Sequence, residues 1–348
     1  MRLDSCTRSF CRSLMAACLC AVGFGLGVQS ARAVTIDWVT VGDPGNTADT
    51  TGDPNPAGAV ADSFQIMKFE FKNSHYADFL NSVAATDTYS LYNSSMGSDA
   101  RGGITQSGAS GSYTYATKTN MSDKPVNYVS WFDAARVSNW LMNGGTSSSS
   151  TETGAYTLNG GISGSAPAVN LGAAFYLTTE DQWYKAAYYK GDSTIAGYWD
   201  YATQSDLAPT HVTADSTGIG SSGSTGNFAN SHRAAGWNGQ NGNVTTLGTN
   251  GGASAYGAFD MSGNLSEWND LTGAADSSRG QRGGYWGDSR EFDLSSSGRN
   301  TRDPSIEGDD GGFRLASPVA VPEPSTYAMA LAGLACAGYS LFRRRKQA

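Results

Sequence analysis

Cysteine is absent from most of this chain. Four cysteines lie among the first 33 residues, the fifth is Cys336 near the C-terminus, and residues 34–317 contain none. A disulfide framework, a thiolate metal site and a cysteine nucleophile are therefore excluded from this long central segment.

Positive charge is scarce in the same segment. The chain has 23 lysines and arginines and 31 aspartates and glutamates, of which the two ends hold eight and two. Residues 34–317 therefore carry 15 basic against 29 acidic side chains, a net charge of −14. We expect no nucleic-acid partner, because nucleic acids are bound through basic surfaces. Calcium or a basic partner suits an acidic surface better.

Long hydrophobic runs are confined to the two ends. Arginines at positions 2, 8 and 12 precede an apolar run over residues 14–28, and Ala-Arg-Ala follows at 31–33. A basic start, an apolar centre and a small-residue cleavage site together predict a signal peptide over residues 1–33. A transmembrane helix is disfavoured there, because about 15 apolar residues are short for a bilayer.

The second run begins directly after Val-Pro-Glu-Pro at 321–324. Residues 325–342 are apolar or small and uncharged, and three arginines and a lysine follow at 343–346. About eighteen such residues can just span a hydrocarbon core, and the basic cluster should remain in the cytoplasm. We therefore predict that residues 318–348 form a tail with a membrane-spanning helix.

This tail resembles the PEP-CTERM sorting signal of Gram-negative bacteria. The resemblance implies that a membrane protease, exosortase, recognises the Pro-Glu-Pro motif and processes the tail. We expect an exported protein that the C-terminal helix holds transiently in the inner membrane. Its final location would be periplasmic, at the outer surface or in the extracellular matrix. The alternative is a permanent C-terminal anchor.

The central domain, residues 34–317, is predicted to be an irregular α+β structure. The chain contains 44 glycines, and its Gly/Ser/Thr-rich stretches at 144–164 and 218–226 indicate loops. Apolar spacing and capping sequences predict helices over residues 74–83, 130–142 and 179–189. Strands are predicted over residues 35–41, 64–71 and 174–177. These elements are few for a domain of this length.

Five segments occur in a fixed order along this domain. They are Pro-Val-Asn-Tyr-Val-Ser-Trp at 125–131, Leu-Thr-Thr-Glu-Asp-Gln-Trp at 177–183, Tyr-Gly-Ala-Phe-Asp-Met-Ser-Gly-Asn-Leu-Ser-Glu-Trp at 256–268, Arg-Gly-Gly-Tyr-Trp at 282–286 and Gly-Phe-Arg-Leu-Ala at 312–316. Together they resemble the formylglycine-generating enzyme family, also called the sulfatase-modifying factor family. The resemblance implies a loop-rich variant of the C-type lectin fold, often stabilised by calcium.

Large aromatic and basic residues of these segments are expected to be structural. Trp131, Trp183, Trp268 and Trp286 are most simply core anchors, each with an indole N–H that needs a partner. Arg314 is expected to be a buried centre of hydrogen bonds rather than a catalytic residue.

The chemistry of the oxidase branch of this family is missing. That branch binds copper through two cysteines, which would fall here at about Ser296 and between Glu291 and Asp293. Serine cannot replace a thiolate as a copper ligand or in disulfide exchange, so copper and the oxidase reaction are not expected. A related branch binds non-haem iron through clustered histidines, whereas the three histidines of this chain are far apart in sequence.

Two classes of function therefore remain. The favoured one is a non-catalytic surface or matrix protein that binds an extracellular polysaccharide or a surface protein. The alternative is an enzyme that uses the same cleft for an unknown chemistry without thiols, with non-haem iron as one option. In both cases Trp286, Glu291, Ser296 and Arg299 are the predicted lining of the cleft, because they supply groups that bind sugars or peptides.

Calcium is predicted at two sets of oxygen ligands. The first consists of Asn227, Phe228, Asn241 and Asn243, at the spacing that the resemblance implies, although Asn241 stands where the family usually has aspartate. The second consists of Asp260, Gly263, Leu265 and Glu267 around a glycine turn. Calcium takes six to eight oxygens from carboxylates, amides and carbonyls. The alternative is that Asp260 and Glu267 simply bond backbone amides within turns.

Overall fold

The computed structural model describes residues 34–318 of the chain. The predicted signal peptide and, except for Pro318, the predicted sorting tail lie outside the described residues. Within residues 34–318, no helix is long and apolar enough to cross a membrane.

Four α-helices and one 3-10 helix occur between residues 34 and 318. They are α1 (Asn73–Val83), α2 (Ser95–Ser98), α3 (Trp131–Met142), α4 (Glu180–Tyr188) and the 3-10 helix Glu291–Leu294. The three predicted helices are confirmed as α1, α3 and α4. Both predicted capping boxes form, since the Oγ of Ser130 accepts the backbone N–H of Asp133 and Thr179 does the same for Gln182.

The strands are short. They are β1 (Trp38–Val41), β2 (Phe64–Met67), β3 (Ile104–Ser107), β4 (Thr114–Thr117), β5 (Tyr176–Leu177), β6 (Thr210–His211), β7 (Phe228–Ala229), β8 (Ser266–Asn269), β9 (Arg279–Arg282), β10 (Asn300–Arg302), β11 (Gly311–Phe313) and β12 (Leu315–Ser317). The three predicted strands are confirmed as β1, β2 and β5, each shorter than the apolar pattern indicated. Residues 144–164 and 218–226 contain neither helix nor named strand, as expected.

Two four-stranded sheets organise the domain. The first is antiparallel, in the order β1-β2-β12-β5. The second has the order β10-β9-β8-β11, with β11 parallel to β8. Because one residue, Arg314, separates β11 from β12, the chain passes directly from one sheet to the other at this position.

Side-chain hydrogen bonds replace regular structure in the loops. Asn139 of α3 shows how: its Nδ2 donates to the carbonyls of Thr151 and Tyr156 at 2.8 and 3.0 Å, and its Oδ1 accepts the N–H of Tyr156 at 2.8 Å. Asn139 is fully buried. The glycine-rich loop after α3 is therefore held by a helix side chain, because its own backbone groups would otherwise lack partners.

The four tryptophans are core anchors, as predicted. Each is at most 3% exposed. The indole N–H of Trp131 donates to Asp270, that of Trp183 to Glu267, that of Trp268 to the carbonyl of Val129 and that of Trp286 to the carbonyl of Asp309, at 2.6 to 3.2 Å. Each buried donor is thus satisfied.

Arg314 is the buried hydrogen-bond centre that the sequence indicated. Its Nε and Nη2 both donate to the carboxylate of Glu267 at 2.6 Å, and neither side chain is exposed. The same guanidinium donates to the carbonyls of Met67 and Phe259 at 3.2 and 2.8 Å. Because Glu267 lies in β8 and Met67 in β2, one side chain connects both sheets.

We predict that Arg314→Leu lowers the free energy of unfolding by about 3–5 kcal/mol, because Glu267 would remain buried without its countercharge. Chemical denaturation of both proteins measures the loss. The double variant Glu267→Gln with Arg314→Leu removes both charges and should recover part of it. A loss below about 1 kcal/mol in the single variant would contradict a central role for this pair.

Candidate functional site

A polar groove of about 250 Å³ lies where β9 and β10 meet the loop that joins them. Its charged and amide side chains are Arg282, Arg290, Arg299 and Arg302, Asp288 and Asp293, Gln281 and Asn300, and Tyr285 adds an aromatic wall. The groove thus lies between the Arg-Gly-Gly and Gly-Phe-Arg segments of the sequence.

A second cavity, of about 280 Å³, lies beside α1. Its walls include Ile36, Met67, Phe69, Glu70 and His75. No predicted site residue lies there, although this cavity is the larger of the two. We place the candidate site in the groove, because the groove contains the segment that the sequence analysis singled out.

Two consecutive glycines shape one end of the groove. Gly283 and Gly284 have φ angles of +93° and +69°, which residues other than glycine rarely adopt. A Cβ on Gly284 would lie 2.8 Å from the Oδ2 of Asp288. That Oδ2 accepts the backbone N–H of Tyr285 at 2.8 Å. The glycine pair therefore lets the aspartate close the turn and hold the tyrosine at the groove.

Glu180, the first residue of α4, holds two of the groove arginines. Its Oε1 accepts the Nε of Arg282 at 2.9 Å and the Nε of Arg299 at 2.7 Å, and its Oε2 accepts the Nη2 of Arg299 at 2.9 Å. The bond to Glu180 raises the pKa of Arg299. Arg282 is fully buried, whereas the Arg299 side chain is 31% exposed. Of the two, Arg299 is therefore the one that can reach a ligand.

The remaining two arginines also have carboxylate partners. Arg302 donates to both oxygens of Asp310 at 3.0 and 2.6 Å, and Arg290 to both oxygens of Asp293 at 3.0 and 2.7 Å. Such forked pairs fix the plane of the guanidinium. Each arginine therefore presents its unused N–H groups in a defined direction.

Asp288 is the most perturbed acid of the groove. Burial raises its pKa to about 6, and the neighbouring carboxylates of Asp293 and Asp310 act in the same direction. The carboxyl group can therefore change its protonation state near neutral pH, as general acids and bases do.

Gln281 lies in the groove lining with its amide unpaired. The residue is 1% exposed, and neither its Oε1 nor its Nε2 has a hydrogen-bond partner among the described residues. Both amide atoms are closed to solvent and the Nε2 lies beside Gly311 in the interior, so this amide cannot contact a ligand in the groove.

Of the four predicted cleft residues, one lines the groove and three do not. Arg299 lines the groove. Ser296 is 4% exposed, its N–H donates to the carbonyl of Asp200, and its carbonyl accepts from Arg282. Trp286 is buried under the guanidinium of Arg101, 4.3 Å from the ring centre. Glu291 is exposed and, like Ser296 and Trp286, outside the groove lining.

The sequence analysis missed most of the groove residues. One available signal was the clustering of arginine in a chain poor in positive charge, at positions 279, 282, 290, 299 and 302. Nothing in the sequence pairs Glu180 with Arg299, since 119 positions separate them.

In the first predicted calcium set, some of the ligand oxygens already accept hydrogen bonds from other groups of the protein. The Oδ1 of Asn227 accepts the hydroxyl of Thr203 at 2.6 Å, and the backbone carbonyl of buried Asn243 accepts the Nδ2 of Asn230 at 2.9 Å. Asn241 is exposed. Each amide oxygen keeps a second lone pair, so this set can still contribute ligands.

The second predicted calcium set does not fit a metal. Both oxygens of Glu267 are bonded to Arg314, and one also accepts from Trp183. Asp260 accepts the N–H of Gly248 at 2.6 Å and the amide of Asn250 at 2.8 Å. A calcium ion would have to compete with a guanidinium already in contact. In the structure both carboxylates bond protein groups, as the alternative interpretation of the sequence expected. The carbonyls of Gly263 and Leu265 therefore have no free carboxylate beside them with which to complete a calcium site.

Two of the three histidines meet in space. His211 and His232 stack with ring centres 4.5 Å apart, while His75 packs against Phe71. Between residues 34 and 318, no group of three or more His, Cys, Asp or Glu side chains is arranged to hold a metal ion.

We predict that the stability of the wild type relative to Asp288→Asn rises as the pH falls from about 7 to 5. The pKa of Asp288 in the folded state, about 6, lies above the ordinary value of 3.8, so its contribution to stability is present at low pH and is lost as the pH rises through 6. Comparison with the variant cancels other titrating groups such as His75. Parallel stability curves for the two proteins, measured by urea unfolding, would refute the assignment.

Comparison with known proteins identifies two parts of the chain. Residues 29–319 match the family described as "Sulfatase-modifying factor enzyme 1-like domain", and residues 320–346 match the PEP-CTERM protein-sorting motif. Comparison with curated proteins gave no match.

Three solved structures are similar to the chain at low sequence identity. CarF is 20% identical, with a TM-score of 0.47 over 82% of this chain and 99% of its own. Treponema denticola variable protein 1 is 16% identical, with a TM-score of 0.45 over 83% and 99%. PvdO from Pseudomonas aeruginosa is 15% identical, with a TM-score of 0.41 over 82% and 93%.

The PEP-CTERM motif implies processing by an exosortase and sorting of an exported protein to the cell surface. The loop-rich α+β fold agrees with the family match. The chain belongs to the sulfatase-modifying factor (formylglycine-generating enzyme) family and carries a PEP-CTERM sorting motif at its C-terminal end.

Proposed function

We propose that this exported domain is a non-catalytic binding module that holds an extracellular polysaccharide in the groove. The observation that carries the proposal is the partly exposed guanidinium of Arg299, held by Glu180 in a groove lined by guanidinium, carboxylate and amide groups. Sugars bind through hydrogen bonds to such groups. The cysteines of the oxidase branch are missing from residues 34–317, so the groove has lost that chemistry.

The alternative is an enzyme that uses the groove for a reaction without thiols. The observation that favours it is the pKa of Asp288, about 6, which suits proton transfer near neutral pH. Release of a shorter product from a bound polysaccharide would support this alternative. A surface protein is an alternative ligand, because its peptide carbonyls can also accept hydrogen bonds from Arg299.

We predict that the protein sediments with polysaccharide extracted from the surface of the producing cells, and that Arg299→Ala weakens this binding at least tenfold, which is about 1.4 kcal/mol. Arg299 combines a carboxylate partner with partial exposure and is also the predicted cleft residue that lines the groove. The matched control is Arg233→Ala, an exposed arginine outside the groove lining. Equal binding by the wild type and both variants would place the ligand elsewhere.

Calcium remains a proposal for the first set, Asn227, Phe228, Asn241 and Asn243. Its support is the spacing of these residues and the spare lone pairs of their amide oxygens. We predict that calcium at 100 times its dissociation constant adds about 2.7 kcal/mol to the free energy of unfolding. Thermal unfolding in calcium and in chelator measures this, with Asn241→Ala, which removes a side-chain ligand, abolishing the effect. An unchanged thermal midpoint of the wild type in calcium and in chelator would contradict calcium binding.

A further inference from the structure

We infer that the stacked rings of His211 and His232 form a pH-sensitive switch on the groove. When both rings take up a proton, the turn that contains His232 opens and the adjoining wall of the groove loosens. The ring centres are 4.5 Å apart, and the ring planes lie 28° from parallel. A proton on one ring therefore disfavours a proton on the other, and two protons disfavour the stack itself.

The turn beside the stack has an unusual backbone. His232 and Arg233 occupy its two central positions, and the N–H of Ala234 closes it by donating to the carbonyl of Ser231 at 3.1 Å. The φ angles of the two central residues are +59° and +58°, values that glycine, asparagine and aspartate adopt more readily. Such a backbone persists only where neighbouring contacts hold it. The histidine stack is one of these contacts, because it joins the turn to β6.

The turn supports one wall of the groove through its backbone. The N–H of His232 donates to the carbonyl of Asp288 at 2.7 Å, and that of Arg233 donates to the carbonyl of Trp286 at 2.8 Å. The carboxylate of Asp288 accepts the N–H of Tyr285 at 2.8 Å, and both of these residues line the groove. Opening of the turn therefore releases two carbonyls in the segment that carries both groove residues.

His211 is the more firmly held partner of the stack. It is half-buried at the end of β6, which pairs with β7. Its Nδ1 lies 2.8 Å from the hydroxyl of Ser231, which is itself buried. His232 is exposed at the tip of the turn. Repulsion between the rings therefore displaces the turn rather than the strand.

The charged groups next to the pair are Glu291, Arg233 and Asp288. Burial and the neighbouring His232 lower the pKa of His211, whereas Glu291 in the 3-10 helix acts in the opposite direction. Arg233 follows His232 in the sequence, and Asp288 accepts the N–H of His232. Because the folded state disfavours the proton on His211, the stabilising contribution of the neutral ring is present at pH 7 and is lost as the pH falls below 6.5.

The test uses the processed protein purified from the cell surface. His211→Phe keeps an aromatic ring in the stack and cannot take up a proton. Hydrogen exchange is measured by mass spectrometry at pH 7 and pH 5 in the peptides 230–236 and 284–290. Position 211 lies in neither peptide, so the intrinsic exchange rates and the titration of Asp288 are common to both proteins. The matched control is His75→Gln, which removes the histidine outside the stack.

We expect both peptides to exchange equally in the wild type and His211→Phe at pH 7, and at least about threefold faster in the wild type at pH 5, because only the wild type can charge both rings. The control should behave as the wild type does. His232→Asn tolerates the positive φ and removes the ring, so it should exchange faster than the wild type already at pH 7.

A second measurement serves if His211→Phe does not fold. Proton NMR of the histidine rings should give a titration midpoint for His211 below 6.5 in the wild type. In His232→Asn the midpoint should move up towards 6.5, because the neighbouring ring no longer opposes the proton. A histidine that merely fills space would titrate alike in both proteins.

Three results would overturn the inference. Equal exchange of peptide 230–236 in the wild type and His211→Phe at pH 5 would show that charge on the stack does not open the turn. Faster exchange confined to 230–236 would show that the turn opens without loosening the groove. A wild-type midpoint of 6.5 or above for His211 would show that the rings do not repel each other's protons. None of these measurements involves the ligand, so this inference and the proposed function can fail separately.

Discussion

The buried ion pair between Arg314 and Glu267 is the contact on which the rest of the domain depends. Arg314 stands between the last two strands, and Glu267 lies in the second sheet. Removing either charge from water costs several kcal/mol, which only the partner charge and full hydrogen bonding can offset. The carbonyls of Met67 and Phe259 and the indole of Trp183 complete those bonds. Both sheets and α4 are therefore positioned by one charge pair.

Near this ion pair, the buried acid Glu70 is stabilised by hydrogen bonds rather than by a basic partner. Glu70 is 1% exposed, and burial together with the carboxylates of Glu267 and Asp260 raises its pKa well above the ordinary value. No second arginine contacts it in the part of the chain that the structure describes; instead it accepts from the amide of Asn264 and the N–H of Leu265, at 2.9 and 3.1 Å. Hydrogen bonds from an amide side chain and a backbone N–H thus stabilise this buried acid in place of a basic side chain.

The ion pairs of the groove differ from the core pair in what they contribute to the structure. Three of its arginines, Arg290, Arg299 and Arg302, are held by carboxylates at the surface or partly buried, where an ion pair contributes little to stability. What such pairs provide is orientation, because a forked guanidinium can point its remaining donors in one direction only. The core pair therefore joins the two sheets, whereas the groove pairs fix the direction of the guanidiniums.

Local signals were readable from the sequence. The capping sequences at Ser130 and Thr179 predicted where two helices begin, because a cap involves residues only three positions apart. The tryptophans were recognisable as anchors, because so large an aromatic side chain is rarely left in water. Strand lengths were overestimated, because the apolar pattern over residues 64–71 continues past the last residue that pairs with a neighbouring strand.

The sequence by itself determined the family and the sorting motif, and it predicted the signal peptide and the absence of the cysteine-dependent oxidase reaction, since each depends on residue identity at known spacing. Only the tertiary structure decided which side chains meet. Arg314 pairs with Glu267, Trp286 and Ser296 are buried outside the groove lining, and the amide of Gln281 has no partner among residues 34–318. These outcomes depend on contacts between residues distant along the chain, and the energy of such a contact is set by burial and geometry that no local pattern contains.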